Sequence, residues 1–165
     1  YGIRHGKLLG TSTIIGSCLG AVSGQYVCGG TGNFIKWTKD LGTADFTLKS
    51  TFEAASLSTT ALTFVLWVGS TLMQLGLDGH GETFFYEGGA WGQTNLRLGA
   101  STLTPNKLQT ITLVRISGKL SVSLNGKATP MQNIALPEAV TAVGWRPHRN
   151  TIKVTELMSI GLSLV

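Results

Sequence analysis

Two segments gather side chains able to hold a polar, hydroxyl-rich ligand. One is Tyr86-Glu87-Gly88-Gly89-Ala90-Trp91-Gly92-Gln93, where aromatics sit among glycines that let a ligand approach closely. The other is Trp145-Arg146-Pro147-His148-Arg149-Asn150, an aromatic beside two guanidinium groups and a histidine. A pyranose offers an apolar C–H face that stacks on Trp or Tyr, and hydroxyls that seek planar polar partners. Arg146 or Arg149 can pair bidentately with a carboxylate or sulfate. The expected chemistry is sugar binding, with Trp145, Arg146, His148, Arg149, Tyr86, Glu87 and Trp91 as candidates. A plainer role stays open for two of them: Trp91 as a plug at the end of a sheet stack, Trp145 as packing at the core edge. Trp67, inside an apolar run, and Trp37 are expected to pack.

Bond-breaking chemistry is not indicated. Glycosidic cleavage on a strand wants carboxylates at i and i+2, which alternation sends to one face. The acids are Asp40, Asp45, Glu53, Asp78, Glu82, Glu87, Glu138 and Glu156, and no two have that spacing. No Gly-x-Ser-x-Gly nucleophile context and no His-x-x-x-His pair occurs among His5, His80 and His148. The chain is expected not to be an enzyme, with a glycoside hydrolase or lyase as the residual alternative.

Composition limits partners further. The net charge of +5 favours anionic partners. The basic residues are dispersed, without the clustered Lys/Arg and interleaved aromatics of a nucleic-acid surface, so no nucleic acid is expected. No apolar run approaches the ~18 residues of a membrane-spanning helix. Cys18 and Cys28, the only two cysteines, lie in a Gly-rich stretch and are expected to form a disulfide across a hairpin or loop. That points to an oxidising compartment, hence a secreted, extracellular protein. The start at Tyr1 fits a processed secreted chain or a trimmed one.

The elements that must position these residues are strands. Only 13% of the 165 residues are charged, and 22 are glycine, an all-β composition when Thr and Val recur throughout. Leu120, Val122 and Leu124 alternate with Ser121 and Ser123 and end on Asn125-Gly126, the signature of a half-buried strand and a tight turn. With residues 110–116 this forms a hairpin through Ser117-Gly118. Residues 46–53 alternate in the same way, and 61–68 are apolar on both faces, as in a central strand. Further strands are expected at 7–15, 33–38, 71–77, 83–86, 95–98, 140–144 and 152–164, with Ile152, Val154, Met158, Ile160 and Leu162 in phase. Such spacing describes one domain over 1–165, an antiparallel two-sheet β-sandwich or a barrel.

Three segments carry a resemblance: Asp45-Phe46-Thr47-Leu48-Lys49, Met73-Gln74-Leu75-Gly76-Leu77-Asp78-Gly79, and residues 109–126. Together they resemble the laminin G-like branch of the concanavalin A-like lectin/glucanase superfamily. Many of its members open the last segment with Trp-His, where this chain has Leu108-Gln109. The resemblance implies a jelly-roll sandwich. It also implies that Asp78, in Asp78-Gly79-His80-Gly81-Glu82, holds calcium with backbone carbonyls, although the same Asp-Gly serves equally as a turn. The leading expectation is a secreted, non-catalytic carbohydrate-binding module that takes a glycan or glycoconjugate, with acidic glycans favoured. The alternative is a laminin G-like adhesion or structural module that binds a protein partner or forms a homo-oligomer.

Overall fold

A computed structural model describes residues 3–7, 13–16, 18–22, 25–28, 33–54, 62–69, 71–77, 83–88, 93–100, 106–147 and 151–162. These residues form strands and turns, and no helix occurs among them.

Two antiparallel sheets face each other. The nine-stranded sheet runs β13-β12-β11-β6-β16-β4-β3, with β1 on β16 and β14 on β12. The seven-stranded sheet runs β10-β9-β8-β7-β15-β5-β2. In the first sheet β1 is Ile3–Lys7, β3 Cys18–Val22, β4 Gln25–Cys28, β6 Phe46–Ala54, β11 Gln109–Ile116, β12 Lys119–Leu124, β13 Lys127–Ala128, β14 Ile134–Ala135 and β16 Thr151–Leu162. In the second, β2 is Thr13–Ile15, β5 Phe34–Gly42, β7 Leu62–Val68, β8 Thr71–Leu77, β9 Thr83–Gly88, β10 Gln93–Ala100 and β15 Val140–Pro147.

The strand pattern builds the core directly. Phe46, Leu48, Ser50, Phe52 and Ala54 are buried while the residues between them are half-exposed. Ile111 and Leu113 on β11 and Leu120, Val122 and Leu124 on β12 continue that inner face. The expected hairpin turns at Ser117 (φ 50) and Gly118 (φ 74), and Asn125 (φ 52) with Gly126 (φ 80) makes the next turn. Positive φ at both central residues matches the right-handed twist of the flanking strands. Against these side chains pack Ile35, Trp37, Phe64, Leu66, Met73, Leu75, Val143 and Trp145 of the other sheet.

The edge of β12 is covered by the chain that follows it. Val122 donates its N–H to the Met131 carbonyl, and its own carbonyl accepts from Thr129 Oγ1 and Gln132 Nε2. Met131, Ile134 and Leu136 are buried there. An edge so paired no longer offers a row of free backbone groups to another chain.

Arg115 is 1% exposed and ties together two connections that cross between the sheets. Its Nη1 donates to the Gly42 carbonyl at 2.9 Å, and its Nη2 to those of Leu136 at 2.6 Å and Glu138 at 2.9 Å. Burial lowers its pKa, and the nearby Asp45 charge opposes that. Asp45 Oδ1 accepts the Ser117 N–H, pinning the hairpin turn beside it.

Four expectations are corrected by the backbone. Residues 7–15 are not one strand: β1 and β2 belong to different sheets. The expected strand 140–144 runs on through Trp145, Arg146 and Pro147 to complete β15, and the expected strands 83–86 and 95–98 extend to take in Glu87 in β9 and Gln93 in β10. In β16 a bulge between Val154 and Glu156 breaks the phase, so Leu157 takes the buried place opposite Ser50 and Met158 pairs with Lys49. One extra residue in a strand reverses every side chain beyond it.

Candidate functional site

The same effect decides which side of the seven-stranded sheet each residue of β15 reaches. By strict alternation from the buried Val140, Gly144 would point inward and Trp145 outward. A bulge between Val140 and Ala142, seen against both β5 and β7, reverses this. Val143 and Trp145 therefore enter the core and Arg146 turns outward.

Trp145 is 2% exposed. Its ring lies 4.4 Å from that of Phe52 and 5.0 Å from that of Phe64, centroid to centroid. Its indole Nε1 donates to Ser50 Oγ. This removes Trp145 from the ligand-binding candidates, because no face of its ring is open to a sugar.

Arg146 instead belongs to a polar and aromatic surface on the outward face. It pairs with Thr63 on β7, while Gly144 pairs with Lys36 on β5 and Val65 on β7, and Val65 pairs with Gln74 on β8. Arg146 Nη1 donates to Gln74 Oε1 at 3.0 Å, and Thr63 Oγ1 donates to the same oxygen at 3.3 Å. Its guanidinium carbon sits 5.4 Å from the centre of the Phe34 ring. Thr63 and Gln74 are only 2% and 8% exposed although they lie on the outward side. They form the floor of this surface.

Aromatic groups rise beside that floor. Phe34 on β5 and Trp67 on β7 meet edge to face at 5.8 Å. They meet above β15, where Gly144 has no side chain to separate them. A Cβ at Gly144 would also collide with the backbone carbonyl oxygen of Ile35. Lys36 Nζ lies 5.1 Å from the centre of the Trp67 ring. Trp67 is half-buried, the one residue of β7 not fully buried, which corrects its expected place in the core.

The structure thus joins two of the segments singled out in the sequence. Glu87 is the register partner of Gln74, whose amide oxygen takes the Arg146 guanidinium. Tyr86 is opposite Leu75 and Leu96. Trp91, His148, Arg149 and Asp78 lie outside the described residues, and with Asp78 lies the calcium expectation. Among the described residues no three His, Cys, Asp or Glu are grouped as metal ligands. Sequence reading missed Phe34, Lys36, Thr63, Trp67 and Gln74. The available signal was the outward triplet Thr63-x-Val65-x-Trp67, with Gln74 as a lone amide in an apolar strand.

No family model and no curated protein matches the chain by sequence. Solved structures do match in fold. The carbohydrate-binding module CBM66 from Bacillus subtilis is 11% identical over 91% of this chain and 95% of its own, with a TM-score of 0.66. A Lotus tetragonolobus seed lectin is 14% identical, covers 99% of this chain and 100% of its own, and has a TM-score of 0.68. The Caenorhabditis elegans galectin LEC-6 is 12% identical over 86% and 99%, with a TM-score of 0.58. The fold is the concanavalin A-like jelly roll, as the sequence led us to expect. An alginate lyase shares it, so the fold by itself does not decide between binding and catalysis.

Proposed function

We propose that this chain is a non-catalytic, secreted carbohydrate-binding module whose site is the outward face of β5, β15, β7 and β8. The observation that carries the proposal is the surface formed by Trp67, Phe34, Lys36, Arg146, Gln74 and Thr63. A half-open indole supplies a stacking platform for the C–H face of a pyranose. The Gln74 oxygen is spent on Arg146 and Thr63, which fixes the amide and leaves its Nε2 hydrogens to donate to ligand oxygens. Such preformed polar groups lose little freedom on binding. The similar seed lectin and carbohydrate-binding module support a sugar as the ligand class. The net charge of +5 tilts the choice towards acidic glycans.

A glycan array run in calcium and again in EDTA tests the proposal, with Trp67→Ala and Trp145→Phe as the paired variants. A coherent set of glycans is expected to bind the wild type. Trp67→Ala is expected to weaken that binding by about tenfold or more, the loss of roughly 1.5 kcal/mol of contact. Trp145→Phe should leave it intact. Blank arrays in both buffers overturn the reading.

A further inference from the structure

We infer that Lys36 is a movable, anion-selecting residue of this face: at rest its ammonium covers the Trp67 indole, and a saccharide bearing a carboxylate or sulfate draws it off. The inference rests on the carbohydrate-binding reading above and goes further by naming the group that sets charge preference.

Lys36 stands on β5, one strand in from the edge strand β2, opposite Gly144 on one side and Thr13 on the other. Glycine gives it no neighbouring side chain to pack against on β15. Among the described residues no acidic group pairs with it, and its ammonium rests over the indole. A solvated cation–π contact of this kind is weak. A charge-assisted hydrogen bond to an anionic oxygen is stronger and shorter. The indole face under Lys36 is also the surface on which a pyranose would stack. A neutral sugar must therefore displace the ammonium without recompense, whereas a charged one replaces the indole with a better partner. Trp67 then holds the ring and Lys36 the acid at its rim.

The test uses matched polymers: polygalacturonate against its methyl ester for a carboxylate, and dextran sulfate against dextran for a sulfate. Affinity electrophoresis would compare the wild type with Lys36→Met, Lys36→Arg and Trp67→Ala, each checked for an unchanged thermal unfolding midpoint. The wild type is expected to prefer a charged polymer over its neutral counterpart by about tenfold. Lys36→Met should abolish that preference and bind the neutral polymer about two- to fivefold more tightly, because the indole is uncovered. Lys36→Arg should keep the preference. Whichever pair responds to Lys36 identifies the anion. A preference that survives in Lys36→Met, or an equal loss for both members of a pair, overturns the inference while leaving the platform intact. Binding that ignores Trp67→Ala, or no binding at all, overturns the platform and the inference together.

Discussion

Trp145 and Ser50 join the two sheets through a hydrogen bond in the middle of the core. The indole Nε1 donates to Ser50 Oγ at 3.0 Å, and the same hydroxyl donates to the Glu156 carbonyl at 3.2 Å. That carbonyl lies beside the β16 bulge, where the ladder is interrupted. One serine thus serves a buried indole and an irregular strand at once.

Removing the hydroxyl should therefore cost more than an ordinary Ser→Ala change. In Ser50→Ala the buried indole N–H loses its acceptor, and a loss of about 2 kcal/mol is expected. Trp145→Phe removes the donor together with packing against Phe52 and Phe64 and should cost about 2–3 kcal/mol. The double variant should lose less than the sum by about 1 kcal/mol, since both changes break one interaction. Urea unfolding of the three variants measures this. Strict additivity would mean that the contact contributes nothing.

Arg115 predicts a pH-independent contribution. Burial lowers its pKa, so its charged form is held less favourably folded than unfolded at every pH below the folded value. An arginine stays protonated in both states across neutral pH, and the numbers of bound protons do not differ there. Arg115→Met leaves the carbonyls of Gly42, Leu136 and Glu138 without their donor and should cost about 3 kcal/mol. The cost should be the same at pH 6 and pH 9. A difference that changes across that range would assign the effect to another titrating group.

Much of the sandwich was legible because its strands keep strict phase. Phe46 to Ala54 and Leu120 to Leu124 alternate without interruption, and their buried faces follow from period two alone. β15 and β16 were less legible for one physical reason, and the outward face of β7 for another. Bulges at Val140/Ala142 and Val154/Glu156 each insert a residue and reverse the phase, and a bulge has no fixed residue signature in the segments concerned. Trp145 therefore looked like a surface aromatic and is core. Trp67, in a run apolar on both faces, looked like core and reaches the surface.

Gly144 is the position where the outward face depends most on the absence of a side chain. A methyl group there would strike the Ile35 carbonyl oxygen, which is backbone and cannot swing aside. Gly144→Ala should force β5 and β15 apart and destabilise by about 3 kcal/mol or more. The thermal midpoint checks this. An unchanged midpoint would show that the two strands can separate freely.

The paired strands β3 and β4 set Cys18 directly opposite Cys28. Directly opposed antiparallel residues have Cα atoms about 4.5–5.5 Å apart, inside the range that a cystine spans. We predict that the two form a disulfide when the protein is made in an oxidising compartment. A bridge closing a loop of about ten residues should stabilise by roughly 2–3 kcal/mol on the chain-entropy account. Native mass spectrometry with and without reductant tests for it, since oxidation removes two hydrogens and blocks thiol alkylation. Cys28→Ser should then lower the unfolding midpoint by the same amount as reduction does. Two freely alkylated thiols in protein exported to an oxidising compartment would refute the bridge. They would also withdraw the chemical argument for secretion, because no other feature of the described residues asks for an oxidising environment.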